Sequence, residues 1–411
     1  MLRSALLALV LPGLLAAQTD PALAHARQLL KTTILIDGHN DLPWEIRENP
    51  KAPMDVEAFD LRGKVTGEVD LARLKRGLLG AQFWSVYVPG ELKGGFAKVQ
   101  LEQLDIARRM IAKYPEALET ALSSADIRRI HRKGRVASLL GMEGGHVLEN
   151  SLGALRSYYD LGARYLTLTH NVTLPWADAA LGKSTHGGLT AFGKEVVREM
   201  NRLGMLVDIS HVSPDVMRDA LDVSEAPVIF SHSCARALVD HPRNVPDTIL
   251  KRMGVNGGVV MVTFIPSFVN REAKAWGDDL DKATKGLSFD EPAYKQAEAE
   301  YIKIHGPSPK AVLKDVVDHI EYVAKVAGHA HVGIASDFWG GETPVGLEDV
   351  SKYPELFAEL IRRGWKDAEL RQLAGENLLR AFARVETVAQ RLRKQRPPST
   401  ATLEGLDGKK E

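Results

Sequence analysis

Continuous apolar runs, not alternating ones, punctuate the chain. They cover residues 33–37, 83–88, 136–142, 164–169, 205–209, 228–231, 259–264 and 332–336. A strand covered on both faces has no solvent side and needs no polar alternation, so such runs mark a parallel sheet. Between them lie stretches with helical spacing and helical punctuation. Residues 21–31 predict a short helix feeding the first run. Ser124-Ala125-Asp126 opens a helix that Gly134 stops, and the amphipathic stretch 189–203 stops at Gly204. Ser213 before Pro214 predicts an N-cap with proline in the first turn. Pro246-Asp247 opens a helix ending near Gly254, and 310–327 forms a long helix stopped by Gly328. Eight strands alternating with helices predict an α/β fold, a (β/α)8 TIM-type barrel in preference to an open doubly wound sheet.

Two polar insertions interrupt this alternation. Residues 44–70 predict a long loop, and 266–309 a charged segment with a helix over 291–305. Both follow carboxyl ends of strands, where a barrel builds its site. After the eighth run, closing helices are expected over 347–363, 367–374 and 376–392. The polar tail from Arg396 is expected to be frayed.

Composition narrows the picture in three ways. The 411 residues are 45% hydrophobic, enough for a large core, and one barrel domain over 25–395 accounts for most of them. The 53 basic and 53 acidic residues balance, with no long basic tract, so nothing points to nucleic acid. Cys234 is the single cysteine, which rules out an intrachain disulfide and a thiolate metal cluster; the expectation for it is a small buried residue, not a nucleophile. The start of the chain is a separate segment. A positive charge at Arg3, an apolar run over 5–17, small residues flanking Gln18 and a further small-residue site at Ala22-Leu23-Ala24 fit a secretory signal peptide, taken as 1–24. Pro12 and Gly13 break the run, which is too short for a confident membrane span. The expected mature protein is soluble and exported, periplasmic or secreted.

The candidate chemistry sits at strand ends. His39 and Asp41 follow the first run two residues apart, a spacing that puts both side chains on one side of an extended backbone. Glu143 follows the third run, His170 the fourth, His211 the fifth, His232 the sixth and Asp337 the eighth. A lone histidine or aspartate at such a place is ordinarily a hydrogen-bonding or capping residue. Six of eight strands ending this way is hard to explain structurally, because a barrel brings these ends to one mouth. Imidazole and carboxylate without thiolate suit Zn²⁺ or a similar ion, and this many ligands suggests two metals sharing a carboxylate. His146, His186 and His241 are weaker candidates.

The motifs His39-x-Asp41, Gly-Met-Glu143-Gly-Gly-His, Leu-Thr-His170-Asn, Asp-Ile-Ser-His211, Ser-His232-Ser, Arg243-Asn-Val-Pro-Asp and Ser-Asp337-Phe, in this order and spacing from about residue 32 to 384, resemble the membrane (renal-type) dipeptidases, zinc dipeptidases of the amidohydrolase-like barrel group. The resemblance implies metal-dependent hydrolysis of dipeptides by a zinc-bridging water, with tolerance of D-residues at the C-terminal position. It implies two Zn²⁺ per chain: His39 and Asp41 on one, His211 and His232 on the other, and Glu143 bridging. It gives His170 the scissile carbonyl or oxyanion, Arg243 the substrate carboxylate, and Asp337 the proton moved from water to the leaving amine. The related enzymes also suggest a homodimer. One position departs from the family pattern: Ile265 follows Phe264 where family members often carry tyrosine near the substrate carboxylate. The rival expectations are a dizinc amidohydrolase acting on a non-peptide amide, lactone or N-acyl amino acid, a metal-holding protein without turnover, and a barrel without metal.

Overall fold

The computed structural model describes residues 20–287 and 292–408. The expected leader lies outside them except for its last five residues. Its boundary after Ala24 falls inside a helix, Pro21–Leu30, whose Ala26, Leu29 and Leu30 are buried. Asp20 caps that helix by accepting from the Ala22 and Leu23 amides.

Among the described residues, nine strands form one parallel sheet: β1 (Leu35–Asn40), β2 (Leu79–Ser85), β3 (Leu118–Thr120), β4 (Val136–Glu143), β5 (Ala163–Thr167), β6 (Leu206–Asp208), β7 (Val228–Phe230), β8 (Val259–Val262) and β9 (Val332–Ile334). Eight of them close into a barrel in the order β1-β2-β4-β5-β6-β7-β8-β9, with β9 returning to β1 at Ile334 and Asp37. The predicted (β/α)8 barrel is therefore the fold. The apolar pattern missed β3. It lies outside the ring, pairing with Val136, Ala137 and Ser138 at the start of β4. Only its Leu118 is buried, so a three-residue strand with a polar remainder carries no continuous apolar signal.

The lower barrel is filled from the strands and closed from below. Ile36, Phe83, Leu139, Leu206, Ile229, Val259 and Met261 form one buried cluster with Leu378, Leu379, Phe382 and Val385 of the helix Asn377–Gln395. That helix plugs the amino end of the barrel, which leaves the carboxyl mouth as the open end. The other predicted helices form; Ser213 accepts from the Val216 amide with Pro214 in the first turn as predicted, whereas the helix Asp247–Asn256 runs past Gly254 to end at Gly257.

Three expectations for the connections are corrected. The 44–70 insertion is not loop from its start, because the helix Leu42–Arg47 forms directly after β1, with Pro43 in its first turn. The 266–309 insertion carries two helices besides the expected one, Pro266–Val269 and Arg271–Ala283, before Pro292–His305. Residues 396–408 of the tail are pinned where fraying was expected, and 409–411 lie outside the described residues. Ser399 N donates to Glu199, and a short helix Leu403–Asp407 brings the Asp407 carboxylate onto Thr190 Oγ1 and the Phe192 amide, at the start of the helix Ala191–Leu203. Polar composition concealed this because the anchors are mainly hydrogen bonds, with only Ala401 and Leu403 packing against the core.

Candidate metal centre

The barrel brings every predicted strand-end ligand to one mouth. His39 is the penultimate residue of β1, Glu143 is the last of β4, and His170, His211, His232 and Asp337 stand just beyond β5, β6, β7 and β9. His39 Nε2 lies 3.3 Å from Asp41 Oδ2, as the i, i+2 spacing predicts. Glu143 stands between two groups. Its Oε2 is 3.4 Å from His39 Nε2, and its Oε1 is 2.9 Å from His211 Nε2 and 3.3 Å from His232 Nε2. Asp337 Oδ1 approaches His39 Nε2 at 3.9 Å. His211 and Asp337 reach these places with left-handed backbones, φ +64° and +60°, a conformation costly for side chains with a Cβ.

Each histidine is oriented by a bond on its far nitrogen. His211 Nδ1 donates to Asn171 Oδ1 at 3.1 Å. His232 Nδ1 donates to Ser231 Oγ at 2.8 Å, since that hydroxyl spends its own proton on Asp208 Oδ2. His39 Nδ1 meets the Tyr165 hydroxyl at 2.8 Å. Placing the proton on Nδ1 leaves Nε2 as a bare lone pair. His211 Nε2 and His232 Nε2 then face each other at 2.8 Å and both face the Glu143 carboxylate. Three acceptors this close, with no hydrogen between them, repel unless a cation sits among them. Burial holds both imidazoles well below the usual histidine pKa, so they stay neutral. Burial also acts against charge on His39, but Tyr165, Asp41 and Glu143 outweigh it and favour the cation. His39 Nε2 and Asp41 Oδ1 are buried without a hydrogen-bond partner. Three sets, His39/Glu143/His232, Glu143/His170/His211 and His39/Asp41/Asp337, each bring their ligand atoms within 4.8 Å of one another. This donor set fits divalent transition-metal ions.

The remaining predicted residues line the same cavity of about 580 Å³, together with Trp44, Tyr87, Ile265, Phe268 and Trp339. The His170 ring stacks beside His211, 4.4 Å between centroids, and burial pushes its pKa down to about 4. Arg243 is 4% exposed, and its guanidinium carbon lies 5.1 Å from the Phe268 ring centre. Asp337 accepts from Thr263 Oγ1 at 3.2 Å, and burial, aided by the Asp41 and Glu143 carboxylates, pushes it up to about 7. His146 and His186 turn away, donating from Nε2 to Val88 O and Leu174 O. His241 lines the cavity but sits beside Arg243, not the ligands. The Cys234 thiol is buried against Thr263 O, and burial pushes its pKa up, so it is no thiolate.

Sequence reasoning missed the residues that hold these candidate ligands in place. Asp37 accepts from the His39 and Ser336 amides and from the Ser336 and Tyr353 hydroxyls, joining the β1 and β9 ends. Asp208 does the same for the β6 and β7 ends through the Ser210 and Ser231 amides. Both aspartates precede a histidine by two or three residues, a signal visible in Asp37-Gly-His39 and Asp208-Ile-Ser-His211. Tyr165 left a fainter trace, a hydroxyl inside a barrel strand that must find a partner.

Solved structures place this geometry among known proteins. A probable dipeptidase, PvdM from Pseudomonas aeruginosa, is 29% identical, with 90% of this chain and 99% of that one covered and a TM-score of 0.77. A metallo peptidase described as dipeptidase AC is 25% identical, with 86% and 99% covered and a TM-score of 0.70. A Rhodobacter sphaeroides metallo peptidase, solved with a phosphinate mimic of the dipeptide L-Ala-D-Ala, shares the fold at 24% identity, 86% and 99% covered, TM-score 0.71. The family model for membrane dipeptidases matches residues 23–396, and the chain belongs to that family, peptidase family M19.

Proposed function

We propose that the protein is an exported dizinc dipeptidase that hydrolyses dipeptides with a free C-terminal carboxylate, including those ending in a D-residue. The observation that carries the dizinc reading is Glu143, whose two oxygens face different histidine groups, with imidazole Nε2 atoms on each side. His39 and Asp41 would hold one zinc, His211 and His232 the other, with Glu143 shared. When bound, the zinc pair supplies Lewis acidity for the amide carbonyl and lowers the pKa of the attacking water.

The chain's own residues supply the rest. The Arg243 guanidinium is buried in the cavity wall, with no carboxylate within ion-pair distance among the described residues, and it takes the substrate's terminal carboxylate by paired hydrogen bonds. His170, neutral and at the rim, donates a hydrogen bond to the carbonyl oxygen as charge develops there. Asp337, beside the ligands and steadied by Thr263, accepts the proton of the attacking water and delivers it to the leaving amine.

Two substitutions test these roles. Arg243→Ala is expected to raise KM at least tenfold for free dipeptides and to leave C-terminally amidated analogues equally poor before and after; equal loss on both would remove carboxylate reading and favour the non-peptide hydrolase. Asp337→Asn is expected to abolish turnover with metal content intact, and unchanged turnover would refute the proton-shuttle role.

A further inference from the structure

We infer that the arm of the cavity beside Arg243 is an apolar subsite, and that Ile265 makes the enzyme prefer a hydrophobic side chain on the residue bearing the free carboxylate. The inference rests on the dipeptidase reading and narrows its substrate class.

The arm is built from the loops after β7, β8 and β9. Arg243 forms its base, against the Phe268 ring. Ile265, Phe268, Trp339 and Gly341 line its wall. A Cβ added to Gly341 would stand 3.2 Å from Ile265 Cδ1, so the β8 and β9 loops meet there and close the side of the arm. Trp339 packs its six-membered ring over Gly67, and its indole nitrogen is shut off from solvent. His241 offers no hydrogen-bonding atom from Nδ1, which already accepts from the Arg243 amide at 3.1 Å, and its ring lies 4.3 Å from that of Phe268. Burial, with Arg243 adding to it, pushes His241 down to about 3, so it carries no charge at neutral pH.

A carboxylate seated on Arg243 leaves the adjoining Cα substituent against this wall. Apart from Asp337, which moves the proton, Arg243, which the carboxylate occupies, and the Nε2–H of His241, the side chains that line the arm are apolar. A buried polar group without a partner is penalised, whereas apolar surface placed there leaves water. Discrimination of about tenfold or more is the ordinary scale for such a pocket.

The test uses the zinc-loaded enzyme and four peptides, Ala-Gly, Ala-Leu, Ala-Asn and Ala-Asp. Leucine and asparagine are close in shape, so their ratio isolates polarity. The expected kcat/KM for Ala-Leu exceeds that for Ala-Asn at least tenfold, through KM. Ile265→Asn should bring that ratio close to one, and Ile265→Met should retain it, which separates lost specificity from a damaged fold. Equal efficiencies for Ala-Leu and Ala-Asn, or an unchanged ratio in Ile265→Asn, would overturn the subsite while leaving the dipeptidase intact. Hydrolysis of none of the four would overturn both.

Discussion

His39 presents Nε2 to the mouth because Tyr165 occupies its other nitrogen. The Tyr165 ring makes that reach only across Gly141, where any Cβ would stand 2.0 Å from the ring. Tyr165→Phe is therefore expected to weaken metal binding roughly 10–100-fold, measured by competition with a chelator; unchanged affinity would show that the hydroxyl is incidental. Gly340 has a similar duty toward Asp337, since a Cβ there would lie 2.5 Å from Asp337 Oδ1. Gly340→Ala should lower kcat about tenfold by displacing that carboxylate, with metal content unchanged in elemental analysis. The convergence of these strand-end side chains was legible because His, Asp and Glu recur directly after so many of the apolar runs. Asp37, Asp208, Asn171 and Tyr165 were harder to read, because most of their contacts cross between elements and only the Asp37-Gly-His39 and Asp208-Ile-Ser-His211 spacings leave a trace along the chain.

Apolar runs longer than three residues and capped helices could be read from the sequence, because burial and capping leave local patterns. β3 and the final segment could not. The segment after Gln395 is held by polar contacts to the helix Ala191–Leu203, which follows the loop bearing His170 and Asn171. Glu199 is the centre of that attachment, bonded by Arg202, Arg156 and Ser399. Burial tends to raise the Glu199 carboxyl, but the two arginines outweigh it and hold it below its ordinary value near 4.5. A depressed folded pKa means this stabilisation is complete above the unfolded pKa and fades as pH falls below about 4.5. Glu199→Gln is thus expected to cost about 3 kcal/mol at pH 7, with the gap to wild type in thermal melts narrowing toward pH 3. A gap that stays constant with pH would contradict the assignment. The amino-terminal element makes a prediction of its own. Asp20 caps the helix Pro21–Leu30 and pairs with Arg362, so we propose that leader cleavage occurs before Asp20, in the small residues around Gln18. Mass spectrometry of the exported protein checks this, and a mature chain starting at His25 would refute it.

At the scale of the molecule, the fold decides where chemistry is possible. The helix Asn377–Gln395 fills the amino end of the barrel with Leu379, Phe382 and Val385, and the long insertions rise around the other end. Residues separated by nearly 300 positions, from Asp41 to Asp337, thereby share one cavity. The central claim is that this cavity holds two metals across Glu143 and that dipeptide hydrolysis depends on them. Metal stoichiometry of the purified mature protein, with dipeptide hydrolysis assayed before chelation, after it and after zinc is restored, tests that claim most directly. The account predicts about two zinc ions per chain, activity lost on chelation and activity regained with zinc. A protein that binds no metal, or one that cleaves dipeptides equally well after complete chelation, would contradict it.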